Sequence, residues 1–176
     1  MKKILDIVRI PATILGGLGL IYIIYIHLNA IDYADVSGDK IPGYLTTGLF
    51  AIWATAIGVG VMRQKELKVE NPDFGTKLKI FYKSLFGEAP TLVIIISVAT
   101  FLYGNYYGWT YNFEGITGII DGKMVLHNHG QIIKELTEAE FLQYEAEHIR
   151  LTTSNSMMFY GVGTGILFPR LKKIES

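Results

Sequence analysis

The chain has 176 residues, half of them hydrophobic, and only 18% are charged, which is below the share typical of soluble domains. Sixteen basic and sixteen acidic residues cancel, so the net charge gives no indication of a nucleic-acid partner. Because the sequence contains no cysteine, disulfides, thiolate nucleophiles and cysteine-ligated metals are excluded.

Four long uncharged runs organise the sequence and predict membrane-spanning helices. The first run, residues 10–31, is long enough to cross a bilayer, since about 20 apolar residues span the hydrocarbon layer. Similar runs cover residues 41–62, 89–103 and 151–169. A secretory signal peptide is the alternative for the first run, but this run is longer than a signal's apolar region and lacks a good cleavage site.

Small residues within these runs predict close packing between helices. Contacts between membrane helices favour small residues about one helical turn apart, because the two backbones can then approach closely. The residues expected at such contacts are Gly16 and Gly19 in the first run, Ala54 and Gly58 in the second, and Gly161 and Gly165 in the fourth.

Residues 63–88 form the most basic segment of the chain. Asn71-Pro72-Asp73 interrupts it and predicts the start of a new helix. Over residues 76–86, apolar side chains recur with helical spacing and the lysines lie mostly off that face. This pattern predicts either a helix in the lipid headgroup layer or a cytoplasmic extension of the third span.

Residues 104–155 are the only part of the chain with soluble character. Two segments with strand patterns, 115–120 and 123–128, flank Asp121-Gly122, which favours a two-residue hairpin turn. Residues 131–136 predict a third strand.

A helix is predicted directly after these strands. Thr137 and Glu140 form a capping box, in which each side chain accepts a hydrogen bond from the other residue's backbone N–H. The helix is expected to run from about residue 138 to residue 151. Three strands and one helix bury little surface, so this cap is expected to pack against the ends of the spans.

The distribution of basic residues predicts the orientation. Twelve of the sixteen lysines and arginines lie in the N-terminal segment, in residues 63–88 or in the tail after residue 169. Positively charged loops stay in the cytoplasm. Both termini are therefore expected in the cytoplasm and residues 104–155 outside, with a bacterial inner membrane as the predicted location.

The predicted fold is a membrane all-α protein with four transmembrane helices and a small extracytoplasmic α+β cap. Residues 1–103 hold the first three spans with the cytoplasmic loop 63–88. Residues 104–155 form the cap, and residues 156–176 hold the fourth span and a basic tail.

Four residues of the cap are candidate metal ligands. His127 and His129 are two apart on a predicted strand, and Glu145 and His148 are three apart on a predicted helix, so each pair can share one face. Together they predict a tetrahedral zinc site, or imidazoles that respond to pH. A polar turn and a solvated helix surface explain the same residues without any ligand.

No catalytic motif is present: the sequence has no HExxH, no P-loop and no supported Ser-His-Asp set. The span interiors carry no charge, which argues against charge-coupled transport. The sequence therefore predicts a non-enzymatic module that acts through helix packing and its cap, with the lipid bilayer and a membrane protein or a second copy as partners. The alternatives are a metal- or pH-responsive sensor or enzyme that uses the cap histidines, and a homo-oligomeric pore.

Overall fold

The computed structural model describes residues 2–30, 43–67, 71–87, 89–111 and 114–168, except for the side chains of Lys2 and Tyr44. The predicted first loop and the basic tail lie outside these residues. The elements are α1 (Lys2–Asn29), α2 (Gly43–Glu66), α3 (Phe74–Phe86), α4 (Thr91–Thr110), β1 (Ile116–Ile120), β2 (Lys123–Asn128), β3 (Gln131–Glu135) and α5 (Glu138–Leu167).

Among the described residues, three helices are long and apolar enough to cross a membrane: α1, α2 and α4. At most 33% of the residues in the most apolar part of each helix are buried inside the protein. Their large apolar side chains instead face outward, as at Ile21, Phe50 and Leu92. Surfaces of this extent fit hydrocarbon better than water. The prediction of helices long and apolar enough to span a membrane is confirmed for these three, and a helical membrane protein is compatible with them.

α5 is the central helix of the bundle and packs against α1, α2 and α4. Trp53 of α2 donates a hydrogen bond to the carbonyl oxygen of Phe159 (3.0 Å), and Ser97 of α4 donates to that of Gly161 (2.9 Å). Polar bonds of this kind hold helices together where hydrocarbon offers no competing partner. The apolar helices α1, α2 and α4 surround the second half of α5. The residues of α5 can therefore be less apolar than those of the other three helices.

α5 continues without a break from the sheet into the bundle, so the prediction that the cap helix ends near residue 151 is wrong. The segment 152–156 is polar, but its hydroxyl groups bond to carbonyl oxygens of the same helix. Thr152 donates to His148 (2.9 Å) and Ser156 donates to Thr152 (2.8 Å). These bonds satisfy the hydroxyl groups within the helix, so the polar segment does not interrupt it.

The contact between α1 and α5 depends on two glycines. A Cβ atom at Gly16 would overlap Oγ1 of Thr164, and one at Gly19 would overlap the ring of Tyr160. Tyr160 itself donates a hydrogen bond to the carbonyl oxygen of Leu45 (2.7 Å). Both glycines therefore face α5 and leave the space that these two side chains fill.

The contact between α4 and α5 also depends on two glycines. A Cβ atom at Gly161 would overlap Thr100, and one at Gly165 would overlap Oγ of Ser97. The sequence pattern Gly161-x-x-x-Gly165 therefore faces α4, where two small hydroxyl side chains fill the space.

The two predicted contact residues of α2 lie in different surroundings. A Cβ atom at Gly58 would lie 3.2 Å from the side chain of Leu5 in α1. Ala54 is exposed, whereas Ala56 is buried in the core.

α3 is a separate helix, so the alternative of an extension of the next span is wrong. Asp73 caps its N-terminus by accepting a hydrogen bond from the backbone N–H of Thr76, as the Asn71-Pro72-Asp73 pattern predicts. The helix ends before Gly87, whose φ of 55° is left-handed, and Pro90 precedes α4. This left-handed turn breaks the helical path between α3 and α4.

The three predicted strands form an antiparallel sheet in the order β1-β2-β3. Asp121 and Gly122 both have positive φ (51° and 77°), as a two-residue hairpin turn of type I′ requires. Val125 and Leu126 of β2 are buried. The capping box of Thr137 and Glu140 is also present and begins α5.

Candidate functional site

A polar cleft lies at the end of the bundle next to the sheet. It has a volume of about 500 Å³ and is enclosed by the end of α4, the first half of α5 and β3. We call it the tyrosine cleft, after the three tyrosines among its lining residues Tyr107, Tyr111, Tyr144, Glu147 and Arg150.

A row of tyrosines on one face of α4 leads from the bundle into this cleft. The ring centres of Tyr103 and Tyr107 are 6.2 Å apart, and those of Tyr107 and Tyr111 are 6.4 Å apart. The guanidinium carbon of Arg150 lies 5.2 Å from the ring centre of Tyr107, a cation–π distance. Nε of Arg150 is buried and has no hydrogen-bond partner in the part of the chain that the structure describes.

His27 of α1 lies at the inner end of this row and is 4% exposed. Its Nδ1 lies 2.8 Å from Oγ1 of Thr153, and its Nε2 lies 2.7 Å from the hydroxyl oxygen of Tyr103. Thr153 has one hydroxyl proton and donates it to the carbonyl oxygen of Ile149 (2.7 Å). Nδ1 is then the donor to Thr153, and in a neutral imidazole of this tautomer Nε2 is the acceptor for the Tyr103 hydroxyl.

The hydroxyl groups of Tyr111 and Tyr144 stay protonated at neutral pH. Tyr144 donates a hydrogen bond to Glu114 (3.0 Å), and this bond raises the pKa of Tyr144. Burial, followed by the nearby Glu147 carboxylate, raises the pKa of Tyr111. The cleft therefore presents aromatic rings, hydroxyl donors and carboxylates together.

Glu140 lies at the rim of the cleft, and its carboxylate is shared by two partners. It accepts hydrogen bonds from the Lys134 ammonium group and from the backbone N–H of Thr137 (2.9 Å). These bonds, that of Lys134 above all, lower the pKa of Glu140 from 4.5 to about 2.

This shift predicts an acid-dependent stability. Because the folded-state pKa of Glu140 is depressed, its bonds stabilise the fold fully above pH 4.5 and are lost as the pH falls toward 2. The difference in melting temperature between the wild type and Glu140→Gln, measured in detergent, is expected to be largest above pH 4.5 and to vanish near pH 2. Glu138→Gln, in the same helical turn but outside the capping box, is the control. A wild-type advantage that does not change with pH would contradict the assignment.

The predicted histidine pair of the cap is not on one strand. His127 lies in β2 with its ring close to Gly118 of β1. β2 ends at Asn128, and His129 follows in the turn with a φ of 48°. The prediction that both histidines share a strand face is therefore wrong, because the chain reverses before His129.

The other two candidate ligands are also separate. Glu145 accepts a hydrogen bond from the hydroxyl of Thr117 in β1, whereas His148 is exposed on α5. Within the described ranges, no three His, Asp or Glu side chains are grouped as metal ligands. The zinc hypothesis thus receives no support from the geometry of these four residues.

At the opposite end of the bundle, Arg9 of α1 is buried and caps α5. Its Nη1 donates hydrogen bonds to the carbonyl oxygens of Leu167 (2.8 Å) and Phe168 (2.9 Å). The last carbonyl groups of a helix lack partners within the helix and carry a partial negative charge. The Arg9 guanidinium group supplies these carbonyl groups with hydrogen-bond donors and places a positive charge beside their partial negative charge.

Arg63 of α2 is buried beside the same helix end. It donates to the carbonyl oxygen of Ile166 (2.7 Å) and to that of Leu85 at the end of α3 (3.1 Å). We call Arg9 and Arg63 the arginine pair. Together they join the ends of α1, α2, α3 and α5.

Sequence reasoning missed the His27 contacts, the tyrosine cleft and the arginine pair. The sequence did contain one signal for the tyrosine cleft. Tyr103, Tyr107 and Tyr111 are each four residues apart, so on a helix they share one face. The partners of His27 and of the arginines are distant in sequence, so no local pattern identifies them.

Comparison with protein families, with curated proteins and with solved structures found no match to this chain. The fold by itself defines the class: a mostly helical protein with three helices able to cross a membrane and a small three-stranded sheet. These are the features of an integral membrane protein.

Proposed function

We propose that four helices cross the bilayer, with α5 as the fourth. The second half of α5 lies among the three apolar helices, which supports a position inside the hydrocarbon layer. The 30 residues of α5 extend over about 45 Å, which exceeds the roughly 30 Å of hydrocarbon. The first half of α5 therefore extends beyond the membrane and carries the sheet and the tyrosine cleft.

The proposed orientation places the arginine pair in the cytoplasm and the sheet outside. Basic residues are concentrated in the N-terminal segment and in residues 63–88, the two segments of the sequence that contain the arginine pair, which supports this orientation through the positive-inside rule. Exposed Tyr106 and Trp109 near the end of α4 are suited to the opposite membrane–water boundary.

The orientation predicts a labelling pattern that the cysteine-free sequence makes simple to measure. In bacterial cells that express single-cysteine variants, a membrane-impermeant maleimide is expected to label Gln131→Cys in intact cells. Lys79→Cys is expected to react only after permeabilisation, and both residues are exposed in the wild type. Labelling of Lys79→Cys but not of Gln131→Cys in intact cells would show the opposite orientation. Labelling of both variants in intact cells would contradict the proposed orientation.

The protein then acts as a non-enzymatic binding module whose tyrosine cleft receives a polar segment of a partner membrane protein. The observation that carries this proposal is the cleft itself, about 500 Å³ lined by three tyrosines and Arg150. Tyrosine and arginine are the residue types on which protein interfaces depend most. The contacts described above favour neither the metal-sensor nor the pore alternative.

Site-specific photo-crosslinking in native membranes tests this function. A photoreactive residue at Gln143, which is exposed and lines the cleft, is expected to form one discrete protein adduct. That adduct should be lost when Arg150→Ala is added. His148, exposed on α5 but not lining the cleft, is the matched control. Equal adducts at both positions, or none at Gln143, would contradict the proposal.

A further inference from the structure

α3 has two faces with different surroundings. Ile80 is half-buried and Ser84 is buried on the face that packs against α2 and α5. On another face, Phe74, Leu78 and Phe81 are 78%, 60% and 61% exposed. These three are four and three residues apart, so they form one continuous apolar stripe on the helix.

The structure fixes α3 close to the ends of two membrane helices. α2, a candidate span, ends at Glu66, and α4, another candidate span, begins at Thr91, so the connections to α3 are short. Arg63 of α2 also donates a hydrogen bond to the carbonyl oxygen of Leu85 in the last turn of α3. α3 is therefore held beside the ends of these two candidate spans.

The charge of α3 is of one sign. Lys77, Lys79 and Lys83 are all exposed, and the helix contains no Asp or Glu. Lysine side chains beside an apolar stripe are suited to the headgroup layer, because their stems cover hydrocarbon while their ammonium groups contact phosphates. Anionic lipids on the cytoplasmic surface attract such clusters.

We propose that α3 lies in the headgroup layer, with the apolar stripe inserted among the acyl chains and its lysines bound to anionic lipid headgroups. This inference rests on the membrane placement proposed above, but not on the tyrosine cleft or its partner. The occupant of the stripe is lipid, because the stripe, the lysines and the ends of two spans meet at one surface.

The test uses the full-length chain in lipid nanodiscs, with a bimane fluorophore on single cysteines. At Leu78→Cys the fluorophore is expected to be quenched strongly by lipids that carry a spin label near the headgroup, and weakly by aqueous acrylamide. Lys79→Cys, the next residue and off the stripe, should show the opposite order. Ile21→Cys, exposed in the middle of α1, should be quenched by lipids that carry the spin label near the end of the acyl chain.

The outcomes separate the possibilities. If Ile21→Cys is not quenched by lipid, the membrane placement itself is wrong. If Ile21→Cys is quenched but Leu78→Cys is as open to acrylamide as Lys79→Cys, the insertion of α3 is overturned. If Leu78→Cys is shielded from both quenchers, a protein covers the stripe instead of lipid, which also overturns the proposal.

The lysines are tested by lipid composition. Lipid quenching at Leu78→Cys is expected to increase when phosphatidylglycerol replaces part of a phosphatidylcholine bilayer. With Lys77→Gln, Lys79→Gln and Lys83→Gln combined, that increase is expected to be lost. An equal increase in both proteins would overturn the anionic-lipid part of the proposal.

Discussion

Replacing Arg63 with alanine is expected to lower the free energy of unfolding by about 2–4 kcal/mol, since it removes charged hydrogen bonds to two backbone carbonyl oxygens. These are the oxygens of Ile166 and Leu85, and the Arg63 side chain is only 5% exposed. The carbonyl groups at two helix ends would then lie buried without their donor. Equilibrium unfolding in detergent micelles, followed by tryptophan fluorescence, measures the loss.

Lys65 supplies the matched control. It lies two residues further along α2, carries the same charge and is exposed, so Lys65→Ala is expected to change stability by less than about 0.5 kcal/mol. Arg63→Lys keeps the charge but not the forked donor group and should show an intermediate loss. If Arg63→Ala and Lys65→Ala were equally stable, the bridging role of Arg63 would be wrong.

Gly161→Ala is the second substitution expected to have a large effect, with a loss of about 1–3 kcal/mol from overpacking. A Cβ atom at this position would overlap Oγ1 of Thr100 and lie 2.9 Å from its Cβ. The backbones of α4 and α5 would have to separate, which would also weaken the bond from Ser97 to the Gly161 carbonyl oxygen.

Gly17→Ala is the control, because, apart from its chain neighbours and the adjacent backbone of α1, no atom of the described residues lies within 4 Å of its added Cβ. There alanine should be neutral or stabilising by up to about 1 kcal/mol, since it favours the helix more than glycine does. Adding Thr100→Ala to Gly161→Ala should restore part of the loss by removing Oγ1. Equal stability of Gly17→Ala and Gly161→Ala would show that α4 and α5 are not tightly packed.

Several features that depend on neighbouring residues were predicted correctly from the sequence, although the helix end expected near residue 151 was not. The three candidate spans follow from uninterrupted apolar length, and the hairpin follows from the left-handed preference of Asp121-Gly122. The capping box at Thr137 and the start of α3 after Asp73 follow from side chains that bond to backbone groups three residues away.

Features that depend on distant residues were not predicted. Arg9 was counted only as a charge that sets orientation, yet it binds Leu167, which is 158 residues further along the chain. His27 and Thr153 are 126 residues apart. Spacing rules describe one element at a time, so they cannot pair residues from different helices. The predicted shared strand face of His127 and His129 was wrong for a different reason, because spacing does not reveal that β2 ends at Asn128.

The arginine pair has a consequence for biogenesis. Both guanidinium groups are synthesised long before their acceptors on α5, since Arg63 precedes Ile166 by 103 residues. In the membrane placement proposed above, α1 and α2 enter the membrane before α5, and until then water or lipid phosphate would have to replace the α5 carbonyl oxygens as hydrogen-bond partners of these groups. In that placement, insertion of α5 would then exchange these partners for its own carbonyl oxygens.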